Sequence, residues 1–354
     1  MNNAIIRLIC GSVLLLTSCT SIGPSSVVRD RFDYVAAISD SWKRQMLQNL
    51  LKIRYSDAPV FMDVTTVIST YSMEGEINGH GELAREGRGD TFVSAGFGAQ
   101  YSDRPTITYQ PLSGSKFARS MMTPIPVTGV LAMIQGGYPA DIALRLCVNS
   151  INGIANDYGG QGNPRVGSPK FHELMTALKQ AQTEGGPGFR IMKTKGEQSL
   201  MMFLHPSSLQ EGTAGRRFRE LLGLDLTARE FRVVYGSFPE PDAQIAIMTR
   251  SVFQVMIDLA SQIEVPAADI AEGRVYNPQR TAEQQRMFPP LLAVHTSPSP
   301  PEDAFLAVRY RGQSFWIDDR DQQSKLMLSA LMLLFSLTES VSTQAAPVVT
   351  IPAR

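Results

Sequence analysis

The chain has 354 residues, 43% of them apolar and 19% charged, and its 33 basic side chains balance 33 acidic ones. That composition belongs to a folded globular protein and excludes a disordered one, while the lack of a basic excess or a basic stripe gives no ground for nucleic acid as a partner. Three cysteines, Cys10, Cys19 and Cys147, are too few for a disulfide framework.

At the N-terminal end Arg7 precedes an apolar run from Leu8 to Leu16, which closes as Leu16-Thr17-Ser18-Cys19. A basic start, a short apolar segment and small residues at the end make a secretory signal. The run is too short to span a bilayer. Its ending resembles the lipobox of bacterial lipoproteins, which implies a signal peptide over residues 1–18, cleavage before Cys19 and acylation of that cysteine. Cys19 is then the lipidation site and the contact with the lipid bilayer. By the same resemblance Thr20, in place of Asp, implies export to the outer membrane, facing the periplasm. Losing Arg7 leaves 32 basic side chains against 33 acidic ones. Residues 19–30, with Ser21, Gly23, Pro24, Ser25 and Ser26, are expected to be a polar tether. Cys147 is left without an intramolecular partner and is expected to be a small buried hydrophobe.

Val35, Ile38, Trp42, Met46, Leu50 and Ile53 step by three or four, predicting an amphipathic helix over 35–53. Two alternating runs, Tyr71 to Glu82 and Thr91 to Tyr101, predict a long hairpin, followed by a strand at 106–110. Short helices follow: one started by Ser115, one opened by Pro126 and ended by Gly136-Gly137, and one opened by Pro139 and ended near Gly153. Residues 156–168, dense in Gly and Pro, are the candidate boundary between an N-terminal lobe over 31–155 and a C-terminal lobe over 169–354, unless the two are one continuous domain. Helices are expected at 169–182, 216–222 and 250–264, with strands at 189–193, 199–205, 230–235 and 244–248. A hairpin over 305–317 leads into an almost wholly apolar helix over about 320–338, and Val348 to Ile351 are expected to be a last edge strand. Strands and helices come in blocks, so the predicted class is α+β, antiparallel hairpins packed with helices.

Few residues offer chemistry. Ser113 and Lys116 have the Ser-x-x-Lys spacing that lets an amine take a hydroxyl proton. No Ser-Asp-Asn follows, and Lys193-Thr194-Lys195-Gly196 carries an extra lysine. A cap at Ser115 accounts for that helix start equally well. His80, His172, His205 and His295 are scattered and fit no metal-ligand frame. Gly159-Gly160-Gln161-Gly162 lacks the strand that should precede a phosphate cradle. Asp318, Asp319 and Asp321 stand before a helix, where carboxylates satisfy free N–H groups and suit the dipole. No catalytic, metal or cofactor-binding residue is therefore assigned.

Arg31-Phe-Asp-Tyr34, the run from Trp42 to Val64, Arg104-Pro-Thr-Ile-Thr-Tyr-Gln-Pro-Leu112 and Val308-Arg-Tyr-Arg-Gly-Gln-Ser-Phe-Trp-Ile-Asp-Asp-Arg-Asp321 together resemble a family of bacterial envelope lipoproteins without an established activity. The resemblance implies a location and nothing catalytic. The expected protein is a lipid-anchored, periplasm-facing lipoprotein that acts by binding or envelope assembly, with an envelope protein as partner. Two alternatives stand beside it. One is a ring-forming lipoprotein that inserts the 71–101 hairpin in the membrane, and the other is an envelope hydrolase using Ser113 and Lys116.

Overall fold

A computed structural model of the protein describes residues 23–68, 71–81, 93–103, 106–160, 164–183, 188–194, 197–205, 210–240, 242–277 and 280–339. Cys19 with its lipobox ending, the hairpin tip at 82–92 and the edge strand expected at 348–351 lie outside these residues.

The first helix, α1, runs Gly23–Arg54. It therefore begins twelve residues before the predicted start at 35, and residues 23–30, expected to be tether, are helical. Pro24 explains this: proline at a first turn costs no hydrogen bond, and no breaker follows until Pro59. The outer part of α1 is exposed, Phe32 and Val35 included, while Met46, Leu47, Leu50 and Leu51 are buried. The helix ends in a Schellman motif. Asp57 N–H donates to the Lys52 carbonyl at 2.7 Å and Ser56 N–H to the Ile53 carbonyl at 3.0 Å, with Ser56 left-handed at φ 59°.

Four strands follow and pair as two two-stranded sheets. β1 (Phe61–Ile68) pairs with β4 (Thr106–Leu112), and β2 (Tyr71–Gly81) with β3 (Val93–Asp103), all antiparallel. The strands of the predicted hairpin pair as expected, and β1 and β4, which flank them in the chain, form a ribbon of their own. Its root is held by side-chain amides of α1 that imitate a neighbouring strand. Gln45 donates to the Met62 carbonyl at 2.9 Å and accepts from Met62 N–H at 2.7 Å. Asn49 does the same to Val60, at 2.8 and 2.9 Å. An amide side chain carries both a donor and an acceptor, so each satisfies one residue of the open edge on both counts.

The helices α2 (Gly114–Met122), α3 (Val127–Gln135) and α4 (Ala140–Cys147) come next. The helix expected to end near Gly153 stops at Cys147, and the chain turns without a loop into β5 (Val148–Ile151). Tertiary pairing wins over helical continuation here. Asn152 and Gly153 both take positive φ, 48° and 77°, in a two-residue turn that pairs Ile151 with Ile154. β5 then becomes an inner strand of a mixed sheet in the order β6 (Ile154–Ala155), β5, β10 (Gln244–Thr249), β9 (Glu230–Tyr235), β8 (Glu197–Phe203), β7 (Gly188–Thr194). Only β9 and β10 run parallel among these pairs.

Helices α5 (Pro169–Thr183), α6 (Ala214–Leu222) and α7 (Val252–Ser261) pack with this sheet, and α7 opens on a capping box between Ser251 and Gln254. After the short α8 (Ala267–Ala271) and α9 (Ala282–Met287), a three-stranded sheet forms from β11 (His295–Ser297), β13 (Gln313–Asp318) and β12 (Ala304–Tyr310), in that order. The last helix, α10 (Gln322–Glu339), buries Met327, Leu328, Leu331, Leu334 and Phe335. The architecture is α+β. One hydrophobic core runs from Met46 to Phe335. The segment 156–168 does not divide the core, since Phe171, Met256 and Leu331 beyond it share one cluster with Leu50 and Leu144 before it.

Candidate functional site

Several residues weighed from the sequence fall apart in space. Ser113 occupies the N-cap position of α2 without a side-chain cap bond, so the cap falls two residues before the expected Ser115. Ser113 and Lys116 are exposed, and among the described residues no hydrogen bond joins them. His295 faces Glu264 at 3.1 Å and the Trp316 ring at 4.8 Å. Exposed His172 packs edge-on to Phe288, and His205 lies on the surface. Among the described residues no three His, Cys, Asp or Glu side chains gather as a metal site would need. Asp321 accepts from Ser324 N–H at 3.0 Å at the start of α10, while Asp318 accepts from Arg320 N–H at 2.7 Å and Asp319 pairs with Lys325 at 2.7 Å. Of that cluster, Asp321 caps the helix. Cys147 is completely buried, which pushes its thiol up to about 12 and makes it inert.

The polar centre lies where the sequence showed only a loop. Arg250, directly before the N-cap of α7, is wholly buried. Its Nη1 donates to Asp258 Oδ2 at 2.9 Å and to the carbonyls of Arg145 and Leu146 at 3.2 and 3.3 Å. Its Nη2 donates to the Asp157 carbonyl. Asp258, two turns further along α7, turns its other oxygen to Gly159 N–H at 2.7 Å. The buried ion pair thereby fastens the 156–160 segment to the core, and the Tyr158 ring covers the Arg250 guanidinium at 5.4 Å. Gly159 has to be glycine here, because a Cβ would sit 2.1 Å from Ser261 Oγ. Asp157 pairs with Arg280 at 2.7 Å. Burial raises its carboxyl above the ordinary range, and Arg280 pulls it some of the way back. Arg165 donates to the carbonyls of Asn156 and Asn149, both at 3.0 Å. Four guanidiniums (Arg145, Arg165, Arg250, Arg280) thus act on three carboxylates (Asp141, Asp157, Asp258), leaving positive charge in excess.

A groove of about 350 Å³ opens beside this network, lined by Asn149, Tyr158, Arg165, Ser237, Phe238 and Met248. It continues past Asn149 and Met248 to Tyr235, Thr249 and Met122. The Thr249 hydroxyl is buried and has no hydrogen-bond partner among the described residues. Phe238 is 86% exposed, and Tyr235 and Met122 are more than half exposed. Such a surface can stack, accept apolar side chains and donate hydrogen bonds; these are the means of holding a partner. Sequence reasoning missed it because Arg250, Asp258 and Asp157 form no local motif. The one cue was an Arg set immediately before an N-capped apolar helix. No protein-family model, curated protein or solved structure matches the chain.

Proposed function

We propose that the protein is an outer-membrane lipoprotein, anchored through acylated Cys19, whose periplasm-facing body works by binding an envelope protein partner. The observation that carries the binding half is the groove rim. Phe238, Tyr235 and Met122 stand exposed around Arg165 and Tyr158, and aromatic residues, Met and Arg are the types enriched at interfaces. The buried Arg250–Asp258 pair holds this rim in advance of binding, which spares a partner the cost of ordering it. The anchoring half rests on Leu16-Thr17-Ser18-Cys19. Each buried acyl methylene adds about 0.8 kcal/mol, so two or more chains hold a protein in the membrane durably. The test captures partners from the native envelope with wild type, Cys19→Ala and Phe238→Ser. Cys19→Ala should leave unlipidated precursor, and Phe238→Ser should stay anchored yet lose its partner. An unmodified Cys19 thiol on soluble mature protein would sink the anchor, and identical capture by Phe238→Ser would sink the groove.

One observation favours a second reading, a ring whose hairpins enter the membrane. β2 and β3 pair over eleven residues each, from Tyr71↔Asp103 to Gly81↔Val93, and no third strand joins them among the described residues. A tilted membrane strand needs about 9–11 residues, and closing a ring would cover both open edges. Single cysteines along Val93–Tyr101, probed in intact envelopes with an impermeant reagent, should then be protected at alternate positions. The same alternate protection in lipid-free monomer would exclude the pore.

A further inference from the structure

A second cleft, of about 370 Å³, lies between the end of α1 and one face of α7. α7 presents Phe253, Ile257, Ala260 and Ser261 to it, the spacing of a single helical stripe. Across from them stand Ile53, Arg54 and the turn 56–59, and Tyr276 closes one side. Arg54 is only 4% exposed. Its Nε donates to the Ile263 carbonyl at 3.3 Å and its Nη1 to the Tyr276 carbonyl. A guanidinium carries five N–H groups, so three remain, two of them on Nη2, without an acceptor among the described residues. Nor is any carboxylate paired with Arg54 among those residues, whereas equally buried Arg250 has Asp258. Asp57, at the exposed rim, is occupied by Ala58 N–H at 2.8 Å and the Tyr310 hydroxyl at 3.2 Å. Burial without a counter-charge pulls the Arg54 pKa down.

We propose that Arg54 is the head-group receptor of a small-molecule site that takes a monocarboxylate with a short apolar body. A guanidinium with adjacent free N–H groups matches a carboxylate in forked, bidentate fashion. The bound anion supplies the counter-charge that the fold omits. Ile53, Pro59, Phe253 and Ile257 offer walls for an alkyl chain, and the volume falls within the usual range of about 300–1,000 Å³ for such sites. One unpaired cation among the described residues, with Asp57 at the rim, suits one negative charge better than two. The cleft shares Phe253 with the far end of the partner groove and no other lining residue, so Ile257→Trp and Phe238→Ser test the two sites apart.

The test titrates octanoate, octanol and octyl phosphate into the full chain carrying Cys19→Ala, in that background alone and with Arg54→Met or Ile257→Trp added. Octanoate should bind once per chain, at least tenfold more tightly than octanol and more tightly than octyl phosphate. Arg54→Met should weaken it at least tenfold. Ile257→Trp, which fills the cleft and leaves Arg54 in place, should do the same. It decides the matter, with the octanol comparison, if Arg54→Met does not fold. No saturable octanoate binding, equal affinity for octanol, tighter binding of octyl phosphate, or binding unchanged in Ile257→Trp would each overturn the assignment.

Discussion

Replacing Asp258 with alanine is expected to lower the unfolding free energy by about 3–5 kcal/mol, the range for removing one partner of a buried ion pair. Arg250 is wholly buried and the Asp258 side chain is 5% exposed, so water cannot take over the lost carboxylate. The guanidinium would keep its carbonyl partners on Arg145, Leu146 and Asp157 but lose the one negative charge paired with it among the described residues. Gly159 N–H would lose its acceptor as well, a further cost of about 1–3 kcal/mol where no water replaces it. Replacing both partners, as Arg250→Met with Asp258→Leu, should recover most of the loss, because an apolar pair of similar volume leaves no charge uncompensated. Urea unfolding of the wild type and the two variants measures this directly. A single-variant cost below about 1 kcal/mol would mean that the pair is solvated and that the 156–160 segment is held by something else.

Phe335→Ala should cost about 3–5 kcal/mol, the usual range for emptying a large aromatic site in a packed core. The Phe335 ring lies 4.7 Å from Phe61, 5.9 Å from Phe117 and 6.3 Å from Trp42. Those four rings come from α10, β1, α2 and α1, so one substitution loosens the root of the ribbon and two helices together. Phe335→Leu, which keeps most of the apolar volume, should cost much less. A Phe335→Ala protein that unfolds within about 1 kcal/mol of wild type would place the aromatic cluster outside the cooperative core.

How far the fold was legible follows from where periodicity could act. The 3.6-residue stripe from Trp42 to Ile53, the apolar run from Leu326 to Leu337 and the alternation at 71–101 all become the elements they predict. β9 occupies Glu230–Tyr235 as expected. The misses have local causes. Val148–Ile151 continues the apolar pattern of α4, so only the pairing with β10 reveals a strand, although Asn152-Gly153 is a hairpin-turn pair. The Gly/Pro-rich stretch at 156–168 has the composition of a linker. Yet Gly159, Gly160 and Gly167 are buried, because glycine permits close approach as readily as freedom. The site was the least legible region. Arginine is ordinarily a surface residue, and nothing local marks Arg54 or Arg250 as buried. Apart from Asp258, eight residues on, the hydrogen-bond partners of Arg250 lie 93–105 residues away, and those of Arg54 more than 200.

The paired amides of Gln45 and Asn49 also act as a length gauge. Four residues of helix rise about 6.0 Å, and two residues of strand about 6.6 Å. The two rungs to Met62 and Val60 therefore coincide, and a third would fall out of step. One residue inserted between 45 and 49 swings Asn49 by about 100° around the helix, and one inserted between 60 and 62 flips a side chain to the other face of the ribbon. The chain can tolerate substitution at this root far better than a change of length. The root of β1 is thereby indexed to the axis of α1, so a torque applied to β1 is delivered to the helix that leads back toward residue 23.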